Sequence, residues 1–431
     1  MANKYQSLRG FNDILPADTP AWQRLHSAAR DTFSAYGYSE LMLPLLESTE
    51  LFKRSIGEAT DVVEKEMFSF QDRDNESLTL RPEFTAGVVR AGLEHGLLHN
   101  QQQRLWCAGP VFRHERPQAG RYRQFHQLNV EAYGIPGPDI DVEIIALAAR
   151  LLKRLGLKGL SLELNSLGEG DTRARYRNAL LAYLGKHESS LDEDSRRRLQ
   201  ANPLRVLDSK VPRTREIVAG APHITEFLDD DSREHLDGLQ QGLSDLGIAY
   251  TVNPLIVRGL DYYTRGVFEW TTTELGAQGT VLAGGRYDGL VEQLGGSKTP
   301  AVGWACGIER LLLLQKSQHV DVPGASVQVY FCALDAAAAR EAAKLAETLR
   351  DQCPGLGLML NAGGGKLAAQ LKRADRSGAS LALILGEAET TRRVVQVKSL
   401  RLATGESNPP AECPWTELPA RLSGLLQPKP E

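Results

Sequence analysis

One stretch, residues 104–134, restricts the fold of this chain more than any other. RLWCAGPVFR (104–113) and QFHQLNVEAYG (124–134) both read as strands, and the residues between them include Pro117 and Gly120. Two strand runs joined through proline and glycine make a hairpin, and a hairpin is antiparallel. Further runs of the same kind follow: SLTL (77–80), YTVNPLIV (250–257), GVFEWTTT (266–273) and AVGWACG (301–307). SELMLPLLE (39–47) reads as an extended run broken at Pro44. Helical spacing surrounds them. Trp22, Leu25, Ala29, Phe33 and Tyr36 form one stripe that ends at Gly37, and residues 83–94, 141–156 and 308–317 predict more helices. The pattern predicts an α+β fold with an antiparallel sheet at its centre.

Near Gly168 the chain turns charged and helical, and stays so to about Leu246. An inserted helical subdomain over 168–248 is expected. HVDVPGAS (319–326) is rich in turn residues and reads as a linker. Beyond it, strands alternate with helices (VQVYFCALD, AAAAREAAKLAETLRDQ, LGLMLN, LAAQLKRADRSG, LALILG), which predicts a small α/β domain. The expected division is 1–325 and 326–431.

Bulk charge says little about partners, since the 431 residues carry a formal net charge of −4. Any polyanion must therefore meet a local basic patch. The five cysteines are scattered with no CxxC pair, which argues against a zinc ribbon or disulfide framework and suits a reducing compartment. MANKYQSLRGFNDILP has no apolar signal-like core, and no run approaches the ~18 apolar residues of a membrane helix. A cytoplasmic protein without a membrane partner is expected.

The hairpin loop is where basic charge collects. GPVFRHERPQAGRYRQFHQ (109–127) has four arginines and no lysine, with Arg113 and Arg121 read as its stems and Arg116 in the loop. Planar, bidentate guanidinium groups suit phosphate. Crowded like charges gain nothing in an empty protein, although a solvated loop paired with surface acids fits the same residues. In AVGWACGIERLLLL, Arg310 falls in the first turn of a helix, where a cation opposes the macrodipole unless an anion binds there. Glu83 and Thr85, just after the strand SLTL, fit two roles: holding an ammonium group, or satisfying a helix start. LIVRGLDYYTRGVFEW and LAGGRYDGL supply tyrosines and paired glycines that serve either packing or close approach to a ligand. NAGGGKLAA (361–369) is not a phosphate loop of the Walker kind, because Leu360 and Leu367 stand where glycine and Ser/Thr are needed.

In ordered combination these segments resemble the class II aminoacyl-tRNA synthetases, and within them the histidyl-tRNA synthetase family. RGFNDILP is similar to the family's opening signature, and LPLLESTELFKRSIGEATDVVEKEMFSF to motif 1. GPVFRHERPQAGRYRQFHQLNVE is similar to motif 2, VGWACGIERLLLL to motif 3, and RGLDYYTRGVFEW and AGGRYDGL to the two histidine-specific signatures. The segment after residue 326 resembles the family's anticodon-binding domain less tightly.

The resemblance implies six or more antiparallel strands flanked by helices, and a homodimer built through motif 1. It implies a histidine–tRNA ligase that uses ATP with Mg2+, L-histidine and tRNA(His), without a metal held securely by side chains. ATP would be met by Arg113, Glu115, Arg121, Phe125 and Arg310. Histidine would be met by Glu83, Thr85, Gln127, Glu131, Arg258, Tyr262, Tyr263 and Tyr287. Arg258 and Arg113 would serve the reacting centre, and Arg116 and Gln118 the tRNA acceptor end. The alternative is a regulatory subunit of ATP phosphoribosyltransferase that shares this core without aminoacylating.

Overall fold

The computed structural model describes every residue except 1–4, 58–59, 202, 208, 257–259, 261, 277–278, 321–326, 402–408 and 427–431. The chain divides into two compact units, residues 1–321 and 322–431. The expected boundary after residue 325 lies outside the described residues, as does most of the expected linker.

The first unit is built on an eight-stranded sheet. Its strands are β1 (Ser39–Glu40), β5 (Gln103–Phe112), β6 (Gln124–Tyr133), β7 (Ser161–Ser166), β8 (Tyr250–Val252), β9 (Thr264–Thr271), β10 (Thr280–Arg286) and β11 (Ala301–Gly307). They lie in the order β1-β5-β6-β11-β10-β9-β7-β8. The five pairings from β5 to β7 are all antiparallel, and only the short edge strands β1 and β8 pair in parallel. The hairpin that opened the sequence is β5–β6, paired from Gln103↔Tyr133 to Phe112↔Gln124.

Beneath the sheet lies the main core. The helix Thr19–Ala35 contributes Leu25, Ala29 and Phe33. The helix Pro138–Arg154 begins on proline, carries Asp139 and Asp141 in its first turn and Lys153 and Arg154 in its last, and so matches its dipole at both ends. It buries Ile144, Ile145, Leu147, Ala148, Leu151 and Leu152. Each large apolar side chain so buried contributes about 1.5–3 kcal/mol relative to exposure.

Two expectations change in detail. SELMLPLLE is not one strand: Ser39–Glu40 joins the main sheet, while β2 (Leu46–Ser48) joins β4 (Ser77–Leu80) and β3 (Phe68–Gln71) in a separate sheet of order β2-β4-β3. Pro44, which lacks an N–H to give a ladder, lies between the two pieces. The helical stretch 168–248 also divides. Tyr176, Leu180, Leu184, Leu199, Val206 and Val218 gather in their own cluster. The helix Asp230–Asp245, capped by Asp229 accepting from the Ser232 N–H at 2.8 Å, instead puts Leu239 and Leu243 into the main core.

The second unit is a mixed sheet of β12 (Val329–Ala333), β13 (Leu358–Leu360), β14 (Leu381–Leu385), β15 (Val394–Ser399) and β16 (Ala411–Pro414), ordered β13-β12-β14-β15-β16. The first three strands are parallel and the last two antiparallel. The helix Ala336–Gln352 packs on it through Ala338, Ala342, Ala346 and Leu349.

Candidate active site

Strand β6 sorts its residues by the two-residue period of a pleated strand. Leu128, Val130 and Ala132 face the main core. Gln127, Asn129 and Glu131 alternate with them on the opposite face and line a small pocket of about 50 Å³. Glu83 and Thr85, at the start of the helix Thr85–Glu94, and Tyr262, Tyr263 and Tyr287 complete its wall.

The pocket is a network of acids and their donors. Glu131, 1% exposed, accepts from Thr85 Oγ1 at 2.6 Å and Asn129 Nδ2 at 2.9 Å on one oxygen, and from the Tyr287 hydroxyl on the other. Burial, opposed by these donors, pushes its carboxyl up to about 7. Glu83 accepts from the backbone N–H of Thr85 at 2.6 Å and of Ala86 at 2.8 Å, so it does satisfy a helix start, and it also lines the pocket. Burial raises its carboxyl too. The tyrosines pack on one another, with ring centroids 4.7 Å apart for Tyr262–Tyr263 and 5.5 Å for Tyr262–Tyr287.

Glycine makes room for this arrangement. Gly303 on β11 pairs with Glu131, and a Cβ placed there would fall inside the Glu131 carboxylate. A Cβ on Gly284 of β10 would strike the Gly303 carbonyl in turn. Gly303→Ala is expected to lower stability by about 1–3 kcal/mol through overpacking. It should also displace the Glu131 carboxylate and close part of the pocket; thermal melts check the loss of stability.

The pocket opens into a larger cleft of about 330 Å³ that shares Arg113, Gln127, Leu260, Tyr263 and Ala305 with it. Arg113, Arg121 and Arg310 converge on this cleft. Arg113 donates to the Pro82 carbonyl at 2.9 Å and lies over the Phe125 ring at 5.6 Å. Arg310 donates to the Thr280 carbonyl. Burial, then Arg121 and Arg113, depress the Arg310 guanidinium, while burial and Arg113 depress that of Arg121. Three guanidinium groups on one cleft between β6, β10 and β11, only partly offset by Glu115 beside Arg121, suit an anion.

The loop differs from its expected form in one respect. Arg113 pairs with Arg123, whose carbonyl accepts its N–H at 2.9 Å. Arg121 sits instead in a tighter turn, exchanging backbone hydrogen bonds with Gln118. Gly120 shortens the inner turn, so the stem lies two residues further on. Glu115 is buried and ion-paired with Arg121. Arg116 and Gln118 are exposed. Arg258 lies outside the described residues.

Three residues that the sequence reading left without a site role matter here. Asn129 is one, readable only from its two-residue spacing between Gln127 and Glu131. Arg81, 4% exposed, donates to the carbonyls of Leu43, Pro44 and Pro110 and stacks on Phe84, fixing the strand ends beside the pocket. Arg286, in the glycine motif, is fully buried and paired with Asp141 and Asp288, with His235 of the helix Asp230–Asp245 3.4 Å from Asp141. Arg286 holds β10 to the helices beneath, next to Tyr287.

An antiparallel sheet thus carries an acid-lined pocket, suited to a small donor-rich molecule, beside an arginine-lined cleft suited to an anion. Known proteins give the lineage. The family model for histidyl-tRNA synthetase matches residues 10–168 and 173–311, and the model for an anticodon-binding domain matches 328–423. The apo histidyl-tRNA synthetase of S. aureus is 33% identical, with 97% of this chain and 100% of that one covered and a TM-score of 0.79. A histidyl-tRNA synthetase from Nostoc is 18% identical over 98% of this chain and 100% of that one, with a TM-score of 0.72. A Bacillus halodurans protein described as an ATP phosphoribosyltransferase regulatory subunit/histidyl-tRNA synthetase is 22% identical over 90% and 99%, with a TM-score of 0.67. The last two share the fold. The chain belongs to the histidyl-tRNA synthetase family, with the anticodon-binding domain that implies a tRNA partner. Among the described residues no helix is long and apolar enough to cross a membrane.

Proposed function

We propose that this chain is a histidine–tRNA ligase that first joins L-histidine to ATP as histidyl-adenylate and then transfers the histidyl group to the 3′ end of tRNA(His). One observation carries the reading: a pocket of hydrogen-bond acceptors, sized for an amino acid side chain, opens directly into a cleft where three guanidinium groups repel one another. Glu83, Thr85 and Gln127 hold the α-ammonium group. Glu131, with Tyr263 and Tyr287, reads the imidazole nitrogens, and Tyr262 walls the pocket.

In the cleft, Arg113 meets the α-phosphate, and Arg121 and Arg310 the β- and γ-phosphates. Phe125 stacks on the adenine and Glu115 contacts its edge. Histidine's own carboxylate is the nucleophile. Its oxygen attacks the α-phosphorus as the bond to the β-phosphate breaks, and pyrophosphate leaves. The obstacle is repulsion between two anions, so catalysis is positioning and charge neutralisation. Arg258 takes its role beside the reacting carboxylate from the sequence alone. Among the described residues no three His, Cys, Asp or Glu side chains gather to hold a metal. Magnesium fits this site as the counter-ion of the triphosphate. In the second step a terminal ribose hydroxyl attacks the carbonyl carbon of histidyl-adenylate, the bond from that carbon to the phosphate oxygen breaks, and AMP leaves with the hydroxyl proton taken up by its phosphate. Arg116 and Gln118, exposed on the loop, touch the acceptor end.

The active form is a homodimer through the motif 1 region. Exposed apolar residues there support this: Met42 is 83% exposed, Leu45 44%, Leu46 40%, and Phe70, on the edge strand β3, 46%. The double variant Met42→Glu, Phe70→Glu is expected to sediment as a monomer where the parent sediments as a dimer.

The regulatory-subunit reading is disfavoured by the presence together of Arg113, Arg121, Arg310 and an anticodon-binding domain. Charging of tRNA(His) transcript with labelled histidine tests the choice. The proposal expects alkali-labile histidyl ester on the tRNA; no ester with intact protein, ATP and magnesium overturns it.

A further inference from the structure

Two buried side-chain atoms in the inner pocket lack a hydrogen-bond partner among the described residues: Gln127 Oε1 and Asn129 Oδ1. Gln127 has a place in the proposed function; Asn129 has none. It is 2% exposed, on the middle strand of the pocket floor. Its amide is not free to turn. The Nδ2 group lies 2.9 Å from Glu131 Oε1, and a carboxylate oxygen requires a donor there. The amide therefore presents its carbonyl to the pocket. A buried carbonyl without a donor costs roughly 1–3 kcal/mol, a cost that a bound ligand, an ion or an ordered water removes.

The polarity of the surroundings says what that ligand must bring. Glu83, Gln127, Asn129 and Glu131 face the space, and all four turn oxygen acceptors to it or toward its donors. Thr85 and Tyr287 spend their hydroxyl protons on Glu131. Arg113 brings N–H from the side shared with the outer cleft, yet the unmatched Gln127 and Asn129 oxygens still call for N–H from a ligand.

We infer that Asn129 is a substrate-positioning residue: its NH2 holds Glu131 in place while its Oδ1 accepts a nitrogen-borne proton of the bound amino acid. This rests on the proposed function and adds a residue to it. The proton comes from one of two sources on histidine, the α-ammonium group or the ring N–H, and the test separates them.

The test measures dissociation constants of the full-length protein and its Asn129→Leu and Asn129→Asp variants. The ligands are histidine, 2-thiazolylalanine (no ring N–H) and imidazolepropionic acid (no ammonium), with the KM for ATP as a control. Asn129→Leu removes donor and acceptor. It is expected to weaken histidine at least tenfold, and to weaken by less than threefold the one analogue that lacks the matching proton. Comparing ligands on one variant cancels any loss of folded protein, so a poorly folding variant still decides. Asn129→Asp keeps an oxygen acceptor but sets a second carboxyl group against Glu131, so it is expected to weaken histidine as well while keeping the parent's ranking of the three ligands. An equal penalty for all three ligands in the Leu variant, or histidine bound by the Leu variant within twofold of the parent, overturns the inference. Those results leave the proposed function standing, whereas failure of the parent protein to bind histidine at all removes the proposed function itself.

Discussion

Glu131→Gln is expected to lower kcat/KM for histidine in ATP–pyrophosphate exchange by about a hundredfold or more, on the order of 3 kcal/mol. The side chain is isosteric, so Gly303 still accommodates it. The chemistry is not equivalent. Thr85, Asn129 and Tyr287 all donate to the carboxylate, and a glutamine amide must turn its NH2 toward at least one of these donors. It also offers the imidazole a weaker acceptor in a site where burial makes every unmatched polar atom costly. The substitution also changes the pH dependence. With its carboxyl held near 7 by burial, Glu131 in the parent is protonated as pH falls below about 7, and kcat/KM for histidine falls with it. The variant should lose that limb and keep only the one from histidine's own imidazole, near 6.5. Stability moves in the opposite direction. A raised carboxyl weakens the fold once ionised, so its penalty is present above about 7 and gone below about 4.5. Glu131→Gln has no such group to ionise, so its stability should change less than the parent's between pH 4.5 and 8.

Arg310→Met is expected to slow adenylate formation by about 2–4 kcal/mol of transition-state stabilisation while leaving the melting temperature within about 2 °C of the parent. The two halves have one cause. Arg310 lies in the first turn of the helix Ile308–Ser317, where its charge opposes the dipole, and burial, Arg121 and Arg113 disfavour its ionised form more than Glu269 favours it. Removing it loses the donation to the Thr280 carbonyl and the attraction of Glu269, and relieves the larger repulsion. A phosphate chain would use the charge that the empty protein holds at a cost. A fall in stability of several kcal/mol would show instead that Arg310 is structural.

Much of this was legible in the chain because local chemistry and tertiary role agree. SLTL and AVGWACG form strands over the residues that the sequence marks, 77–80 and 301–307. The helix expected from the stripe Trp22 to Tyr36 spans Thr19–Ala35. Glu83, Thr85, Gln127 and Glu131, named through the family resemblance from two separate segments, line one pocket. The misses share a physical reason, which is that neighbours supplied from far along the chain decide them. β7 (SLELNS) and β16 (AECP) are short and polar, and become strands only by pairing with β9 and β15. Arg286 stands in a glycine motif suggestive of a ligand and is instead fully buried against Asp141, 145 residues away in sequence. Asn129 gives no local signal beyond its two-residue spacing between Gln127 and Glu131. Its importance follows from Glu131 fixing one end of its amide while no described residue meets the other.

Everything in this account depends on histidine being the molecule whose carboxylate attacks ATP over the β6–β11 floor. ATP–pyrophosphate exchange with the full-length protein, run against each of the twenty amino acids without tRNA, measures that directly. The account predicts exchange with histidine and background rates with the other nineteen. Exchange driven by a different amino acid, or by none while histidine still binds, would contradict it.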